Sequence, residues 1–101
     1  MKRIGELAQK VRSKNAGPFW ITIDIFCGSA PAYRTIRDGI ADIAVAAALG
    51  VEAEALKRFD IPELNVVKFS APRPAIQGTA ADRDMHGAGF AVLVAELDID
   101  A

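Results

Sequence analysis

The run from Phe19 to Cys27 constrains the fold of this chain more tightly than any other segment. It consists almost entirely of β-branched and aromatic residues, which favour a pleated, half-buried surface. Every odd-numbered residue of the run is apolar, and side chains two apart share one face of a strand. The run therefore predicts a strand packed on a core. Asp24 falls on its other face, either exposed to solvent or paired with a cation such as Lys68 or Arg73.

Helices are predicted both before and after this strand in the chain. Apolar residues at helical spacing predict an amphipathic helix over residues 4–14. Ser29 suits the N-cap of a second helix that stops near Gly39. An alanine-rich third helix is predicted over residues 41–49, and alanine at so many positions allows close packing against a sheet.

The second half of the chain contributes further strands and one long loop. Pro62 limits residues 59–61 to a short edge element or a bend, and residues 64–70 are typical of a strand. Residues 75–89 lack any periodicity and predict a long loop, which in a small domain is usually functional or mobile. Residues 90–98 are apolar on both faces until Glu96 and predict a central strand that is covered on both sides, or on one side by a partner. The pattern indicates an α+β fold, a small sheet with helices packed mainly on one face.

Length and charge set bounds on the class of protein. A chain of 101 residues suits a single domain over residues 1–101. Its net charge of −1 gives no overall basic field, so nucleic acid is not an expected partner. No apolar run approaches the length of a membrane span, and no secretory signal precedes the first helix. The single cysteine agrees with a reducing compartment, so we expect a cytoplasmic protein without membrane contact.

Most familiar catalytic and cofactor motifs are absent from the chain. It has one histidine and one cysteine, and it lacks the sequence signatures of zinc, nucleotide and serine-hydrolase sites. We therefore predict no cofactor and no bound metal. A dyad of Cys27 and His86 would require the fold to bring them together. The position of Cys27 on the apolar face of a strand instead favours a buried, inert thiol.

The densest cluster of reactive groups lies between residues 82 and 87. Asp82, Asp84 and His86 alternate, so an extended backbone would point all three the same way. Such a set suits an acid next to a base, with His86 and Asp84 as the catalytic candidates, or a divalent metal, which the nearby Arg83 opposes. The alternative is that both aspartates form turns in a glycine-rich loop and that His86 is a surface residue.

A second candidate site lies at the end of the first predicted helix. Residues 12–17 combine cations with a turn, and Lys14 and Asn15 are the candidates for holding a carboxylate or phosphate. The alternative is a solvated helix end, because cations are favourable near a helix C-terminus in any case.

Two stretches of the chain carry a family resemblance. The first is SKNAGPF at residues 13–19, running into the strand. The second is PRP at residues 72–74, followed by DRDMHGA at 82–88. Together they resemble the signature segments of a small bacterial family, domain of unknown function 4387, over nearly the whole chain. Its members are similar to small companions of AtuA-like proteins, the acyclic-terpene-utilisation group.

The resemblance implies a ferredoxin-like α+β domain and a role in the breakdown of acyl-CoA or branched organic acids, as part of a hydratase or lyase. The first hypothesis is an accessory subunit whose loop at residues 72–88 completes a site on a larger AtuA-like protein. Ligand contacts would come from four residues, Lys14, Asn15, Arg73 and Asp82. The second is an independent small hydratase or lyase that uses His86 as base, Asp84 as orienting acid and Arg73 as the cation. The third is a self-associating, homo-oligomeric ligand-binding module.

Overall fold

The predicted apolar strand is the central strand of the fold. In a computed structural model of the chain, which describes residues 1–73 and 89–100, Trp20–Phe26 is a strand. Ile21, Ile23 and Ile25 on it are fully buried. The alternation of apolar residues therefore predicted both the strand and the face that it buries.

The elements of the fold follow one another in chain order. They are β1 (Lys2–Arg3), α1 (Ile4–Leu7), β2 (Lys10–Asn15), β3 (Trp20–Phe26), α2 (Ala30–Gly39), α3 (Asp42–Leu49), β4 (Lys57–Ile61), β5 (Val66–Pro72), α4 (Phe90–Ala95) and β6 (Asp98–Ile99). Four strands form an antiparallel sheet in the order β2-β3-β5-β4, and β1 pairs with β6 in a separate two-stranded sheet. The α+β class is thus confirmed.

The helices pack on one face of the four-stranded sheet. The core joins buried residues of the helices to the inward side chains of β3 and β5: Tyr33, Ile36, Val45, Leu49 and Val94 meet Ile21, Ile23, Ile25, Val67 and Phe69. Ser29 caps α2 as predicted, its Oγ accepting a hydrogen bond from the Ala32 backbone N–H at 3.2 Å. Gly50 ends α3 in the left-handed conformation, with φ of 73°.

The order of elements matches a ferredoxin-like arrangement with one strand moved. From β3 through α2, α3, β4 and β5 to α4, the chain follows the first five elements of the β-α-β-β-α-β motif, with two helices in place of the first one. The remaining position, beside β3, is taken by β2, which precedes β3 in the chain and joins it by a tight hairpin. The sheet therefore has β2 and β4 as its two edges.

The predicted helix over residues 4–14 is wrong. Only Ile4–Leu7 is helical, and Lys10–Asn15 is the edge strand β2. The stripe that suggested a helix still packs on the core, because Leu7, Ala8 and Val11 contact it. From Lys10 onwards the exposed and half-buried residues alternate. Pairing with β3 satisfies backbone groups that β3 would otherwise leave unpaired at its edge.

The predicted central strand over residues 90–98 is also wrong. Phe90–Ala95 forms the helix α4, and only Asp98–Ile99 is a strand. A run that is apolar at every position fits both periods, so it cannot choose between them. In the structure Ala91 and Val94, three residues apart, are buried, whereas Val92 is exposed. Both sides of β3 are already paired, one with β2 and the other with β5, so the run does not pair with the central strand.

The region before β5 agrees with the predicted edge strand. Residues 53–55 form a short 3₁₀ turn, and Lys57–Ile61 forms β4 at the edge of the sheet, ending at Pro62. The predicted loop over residues 75–89 lies almost wholly outside the described residues. No helix within residues 1–73 and 89–100 is both long and apolar enough to cross a bilayer.

Candidate functional site

Arg73 lies where β5 ends, and its backbone is tied to the β2–β3 hairpin. The last pair of the β3–β5 ladder joins Trp20 to Pro72. One residue further on, the Arg73 backbone N–H donates to the Phe19 carbonyl oxygen at 2.8 Å. The side chain of Arg73 is buried, with the whole residue only 8% exposed. A guanidinium at this depth is unusual, since charged side chains are rarely buried without specific partners.

The Arg73 guanidinium is held between two other elements. Its Nη1 donates a hydrogen bond to Asn15 Oδ1 on β2. Its Cζ lies 5.6 Å from the ring centroid of Phe90, the first residue of α4. A planar cation over an aromatic face is attracted by the ring electrons and loses orientational freedom. The hydrogen bond and the ring together orient the guanidinium.

Ser13 on β2 holds the start of α4 close to Arg73 by a hydrogen bond. Its Oγ accepts a hydrogen bond from the Ala91 backbone N–H at 2.8 Å. Ser13 and Asn15 are two residues apart on β2, so both side chains project from the face that the helices cover. We refer to Ser13, Asn15, Arg73 and Phe90 as the Arg73 cluster. It joins β2, the end of β5 and the start of α4.

The hairpin between β2 and β3 accounts for the remainder of the SKNAGPF segment. The Ala16 backbone N–H donates to the Trp20 carbonyl oxygen at 2.9 Å and closes the turn. Gly17 has φ of 83°, a conformation that side-chain-bearing residues rarely adopt. The turn presents the Phe19 carbonyl to the Arg73 backbone. The segment thus supplies two side chains of the cluster and the backbone acceptor beside it.

Lys14 lies apart from the other predicted ligand residues. It is exposed and sits opposite Thr22 on the face of the sheet that the helices do not cover, whereas Asn15 projects from the helix side. The structure therefore brings Asn15 and Arg73 together and leaves Lys14 on the other face. Asp24 lies on the Lys14 face, opposite Lys68 on β5.

The other predicted residues, Asp82, Asp84 and His86, lie outside the described residues. The two ends of their segment are nonetheless described. Arg73 precedes residues 74–88 and the Gly89–Phe90 pair follows them, and the Arg73 guanidinium is stacked on the Phe90 ring. Both ends of the segment therefore meet at the Arg73 cluster.

Ser13 and Phe90 were not predicted as site residues. Ser13 was placed on a helix, where its relation to Asn15 is lost, and Phe90 was assigned to a strand. Reading residues 10–15 with a period of two, which their alternation of charged and neutral residues permits, would have placed Ser13 and Asn15 on one face. No local signal in the sequence relates Phe90 to Arg73.

The chemistry of the cluster suits binding rather than proton transfer. It offers a cation, an amide, a hydroxyl and an aromatic ring, and none of these is a side-chain type that commonly serves as a general acid or base. A planar guanidinium matches the geometry of a carboxylate or phosphate. Among residues 1–73 and 89–100, no group of three or more histidine, cysteine, aspartate or glutamate side chains is placed to hold a metal ion.

Cys27 is a core residue, as predicted. It is buried, and its Sγ lies 3.7 Å from the Ile25 carbonyl oxygen, to which the thiol donates. Burial raises the pKa of the Cys27 thiol from 9.0 to about 11, although a backbone hydrogen bond at Val67 acts in the opposite direction. A thiol that resists ionisation is a poor nucleophile.

We expect the native chain to resist alkylation at Cys27. With a pKa of about 11, about one thiol in a thousand is ionised at pH 8. Iodoacetamide at pH 8 should leave the folded chain unmodified by intact mass, and the same chain in guanidinium should label fully. Equal labelling rates in the two states would contradict the burial.

The stability of the chain should also depend on pH through Cys27. Because the folded-state pKa of the Cys27 thiol lies above that of the unfolded chain, the free energy of unfolding should fall as pH rises from about 9 to 11.

The fold and the cluster define a class: a small α+β domain whose described helices cover one sheet face, with an arginine buried where two distant segments meet. Residues 4–98 match the family described as Domain of unknown function (DUF4387). The chain belongs to this family, which is the one that its two signature segments resemble. No curated protein and no solved structure gives a significant match.

Proposed function

We propose that this chain is the accessory subunit of a larger AtuA-like protein that acts in acyl-CoA or branched organic acid catabolism. In this proposal residues 72–88 complete a ligand site of the complex, in which a hydratase or lyase reaction takes place. The accessory subunit holds an anionic group of the ligand.

The contact between Asn15 and Arg73 carries this proposal. The two residues are 58 positions apart and belong to the two segments on which the family resemblance rests. Their meeting gives those segments a common location at the start of residues 74–88. A buried, oriented guanidinium has the planar geometry that suits recognition of a carboxylate or phosphate.

The division of labour follows from the chemistry of the cluster. Arg73 would bind the carboxylate of an organic acid or a phosphate of an acyl-CoA, and the neutral Asn15 would keep the guanidinium in place. Proton transfer would fall to groups of the larger subunit or to His86 and Asp84, since the Arg73 cluster has no acid or base of its own.

Apolar residues near the cluster support a partner. Val92 and Leu93 on α4 are exposed, and so is Phe19 on the hairpin. All three lie on elements that contribute to the Arg73 cluster. Exposed large apolar side chains around a candidate site are typical of a surface that another protein covers.

The first test is purification of the tagged chain from its native host, with identification and native mass of whatever elutes with it. We expect a larger AtuA-like protein in stoichiometric amount. A homo-oligomer without such a protein would contradict the accessory-subunit proposal and favour a self-contained ligand-binding module.

In the purified complex, we expect Arg73→Lys to lower turnover about tenfold or more, because an ammonium cannot keep both the Asn15 hydrogen bond and a paired contact with an anion. Arg34→Lys, on the exposed side of α2, is the matched control and should leave turnover unchanged. Both variants should have the circular dichroism spectrum of the wild-type chain and should still bind the larger subunit, so that a change in turnover reports on the site alone. If a folded Arg73→Lys complex had wild-type turnover, Arg73 would not be a ligand-binding residue.

The alternative of a small enzyme complete in itself makes a different prediction. The isolated chain would then turn over a substrate, with His86 as base and Asp84 as orienting acid, and His86→Ala would abolish the activity. Undiminished activity in His86→Ala would remove that mechanism, and an isolated chain that is inactive while the complex is active would favour the accessory role.

A further inference from the structure

Among the residues that the structure describes, no helix packs against one face of the four-stranded sheet. The core residues of α2, α3 and α4 all meet the inward side chains of β3 and β5. The other face presents the alternate residues of each strand, and the register aligns them in rows across the sheet. One row runs from Lys10 through Phe26 and Val66 to Ile61. The next runs from Arg12 through Asp24 and Lys68 to Phe59.

Charge on this face is strongly one-sided. Of the residues in the four described strands, five cations and a single carboxylate, Asp24, project from it. The cations are Lys10, Arg12, Lys14, Lys57 and Lys68. The chain as a whole has a net charge of −1, so the remainder of the molecule is acidic. Three of the cations form a column along the edge strand β2, spaced by about 6.6 Å because alternate residues of a strand share a face. We call this surface the basic face.

The basic face also carries apolar and aromatic side chains. Trp20 is 38% exposed and Phe59 is 48% exposed. The Lys57 Nζ lies 5.6 Å from the centroid of the Trp20 ring. Aromatic residues with a charged margin are characteristic of the surfaces through which proteins associate. The β2 edge is therefore the charged side of this surface, and the β4 edge is its aromatic and aliphatic side.

We propose that the basic face is the surface by which this chain docks onto its larger subunit, against an acidic patch with apolar residues on one side. This inference rests on the proposed function and adds to it the chemistry of the partner surface. Carboxylates of the partner would face the β2 column, and apolar side chains would cover Phe59 and Ile61. Complementary charge of this kind speeds association and excludes wrong partners.

Two other occupants fit less well. A second copy would bring the same excess of cations against itself, a like-charge contact that is costly when water is removed. A single-stranded nucleic acid would meet Asp24 in the middle of the face and a net negative molecule around it. Both occupants are distinguishable outcomes of the experiment below.

The first arm of the experiment reverses the β2 column. A tagged K10E/R12E/K14E chain is expressed in the native host, and the amount of larger subunit recovered with it is compared with wild type. We expect recovery to fall at least about tenfold and wild-type recovery to decline with added salt. The control, K2E/R3E/R34E, changes the same charge on exposed residues outside the sheet face and should recover wild-type amounts. Thermal melts establish that both variants are folded.

The second arm identifies the surface that is contacted. A photoreactive benzoylphenylalanine replaces Phe59 on the basic face or, as control, Ile43 on the exposed side of α3. Irradiation of the complex should join position 59 to a peptide of the larger subunit. Position 43 should give no such product.

The outcomes separate the inference from the proposed function. Loss of the larger subunit from the β2 variant, with its retention by the control and a crosslink from position 59, supports the docking surface. Retention by the β2 variant overturns the inference and leaves the accessory role intact. A crosslink from position 59 to a second copy, or nuclease-sensitive material at that position, overturns it in favour of those occupants. Wild-type chain without a larger subunit overturns the proposed function and the inference together.

Discussion

Phe69→Ala is expected to lower the free energy of unfolding by about 3–5 kcal/mol, the largest effect of any single substitution considered for this chain. Phe69 lies on β5 and is fully buried. Its ring packs in the core between the sheet and the helices, so truncation removes buried apolar surface and leaves a cavity that the surrounding strands and helices close only in part. For a domain with total stability of about 5–15 kcal/mol, that loss is a large fraction.

The matched control is Phe59→Ala. Phe59 is the same residue type on the neighbouring strand β4, but it is on the basic face and half exposed. Its truncation should cost less than about 1 kcal/mol. Urea or thermal unfolding of the three chains measures the difference, and each kcal/mol should shift the melting temperature by about 4–8 °C. Similar losses for the two substitutions would mean that the helices do not cover the Phe69 face of the sheet.

Arg58→Ala is expected to cost about 2–4 kcal/mol, the second largest effect. Arg58 is on the edge strand β4, and its side chain is 18% exposed. Its Nη2 donates to the Arg37 carbonyl oxygen at 2.6 Å, and its Nη1 donates to the Ile40 carbonyl oxygen at 2.8 Å. These carbonyls lie at the C-terminal end of α2, where helical partners run out, so the guanidinium satisfies backbone groups that the helix cannot.

The same guanidinium also binds two carboxylates. It donates from Nη1 to Asp42 Oδ1 at 3.0 Å and from Nε to Asp60 Oδ1 at 2.9 Å. Burial by itself would lower the pKa of Arg58, but these bonds outweigh it and raise the pKa above its ordinary value. Arg58 therefore stays charged and connects β4 to the corner between α2 and α3.

Chemical unfolding of Arg58→Ala, Arg58→Lys and the surface control Arg34→Ala tests this role. Lysine should recover only part of the loss, because one ammonium cannot reach all four acceptors that the guanidinium contacts. The control should stay within about 0.5 kcal/mol of wild type. A loss below about 1 kcal/mol in Arg58→Ala would show that the corner between the helices holds without it.

Much of the fold could be predicted because local signals agreed with the tertiary environment. The strand around Ile23 has one period and one buried face, Ser29 caps α2, and Gly50 ends α3. The two errors arose where one sequence satisfies two periods. Residues 4–11 fit a helical stripe and residues 90–95 fit a strand. Tertiary pairing resolved both cases. Residues 10–15 pair with β3 as the strand β2, and residues 90–95 pack on the core as the helix α4.

The candidate site was predicted in part for a similar reason. Asn15 and Arg73 were named from their residue types and from the family segments, and the structure brings them together. Ser13 and Phe90 were missed, because their roles depend on the strand assignment of β2 and on the start of α4. Lys14 was named with Asn15 as its sequence neighbour, but adjacent residues of a strand face opposite ways.

Local patterns in the sequence were enough to predict the class of fold, the central buried strand, the helix boundaries after it and the family to which the chain belongs. These features depend on periodicity, capping residues and short motifs, which act over a few positions. The tertiary structure alone decided which segments meet at Arg73 and how charge is distributed. A net charge of −1 does not show how cations and carboxylates are distributed over the surface. The strand register collects five cations on one face of the sheet because side chains alternate and the four strands align.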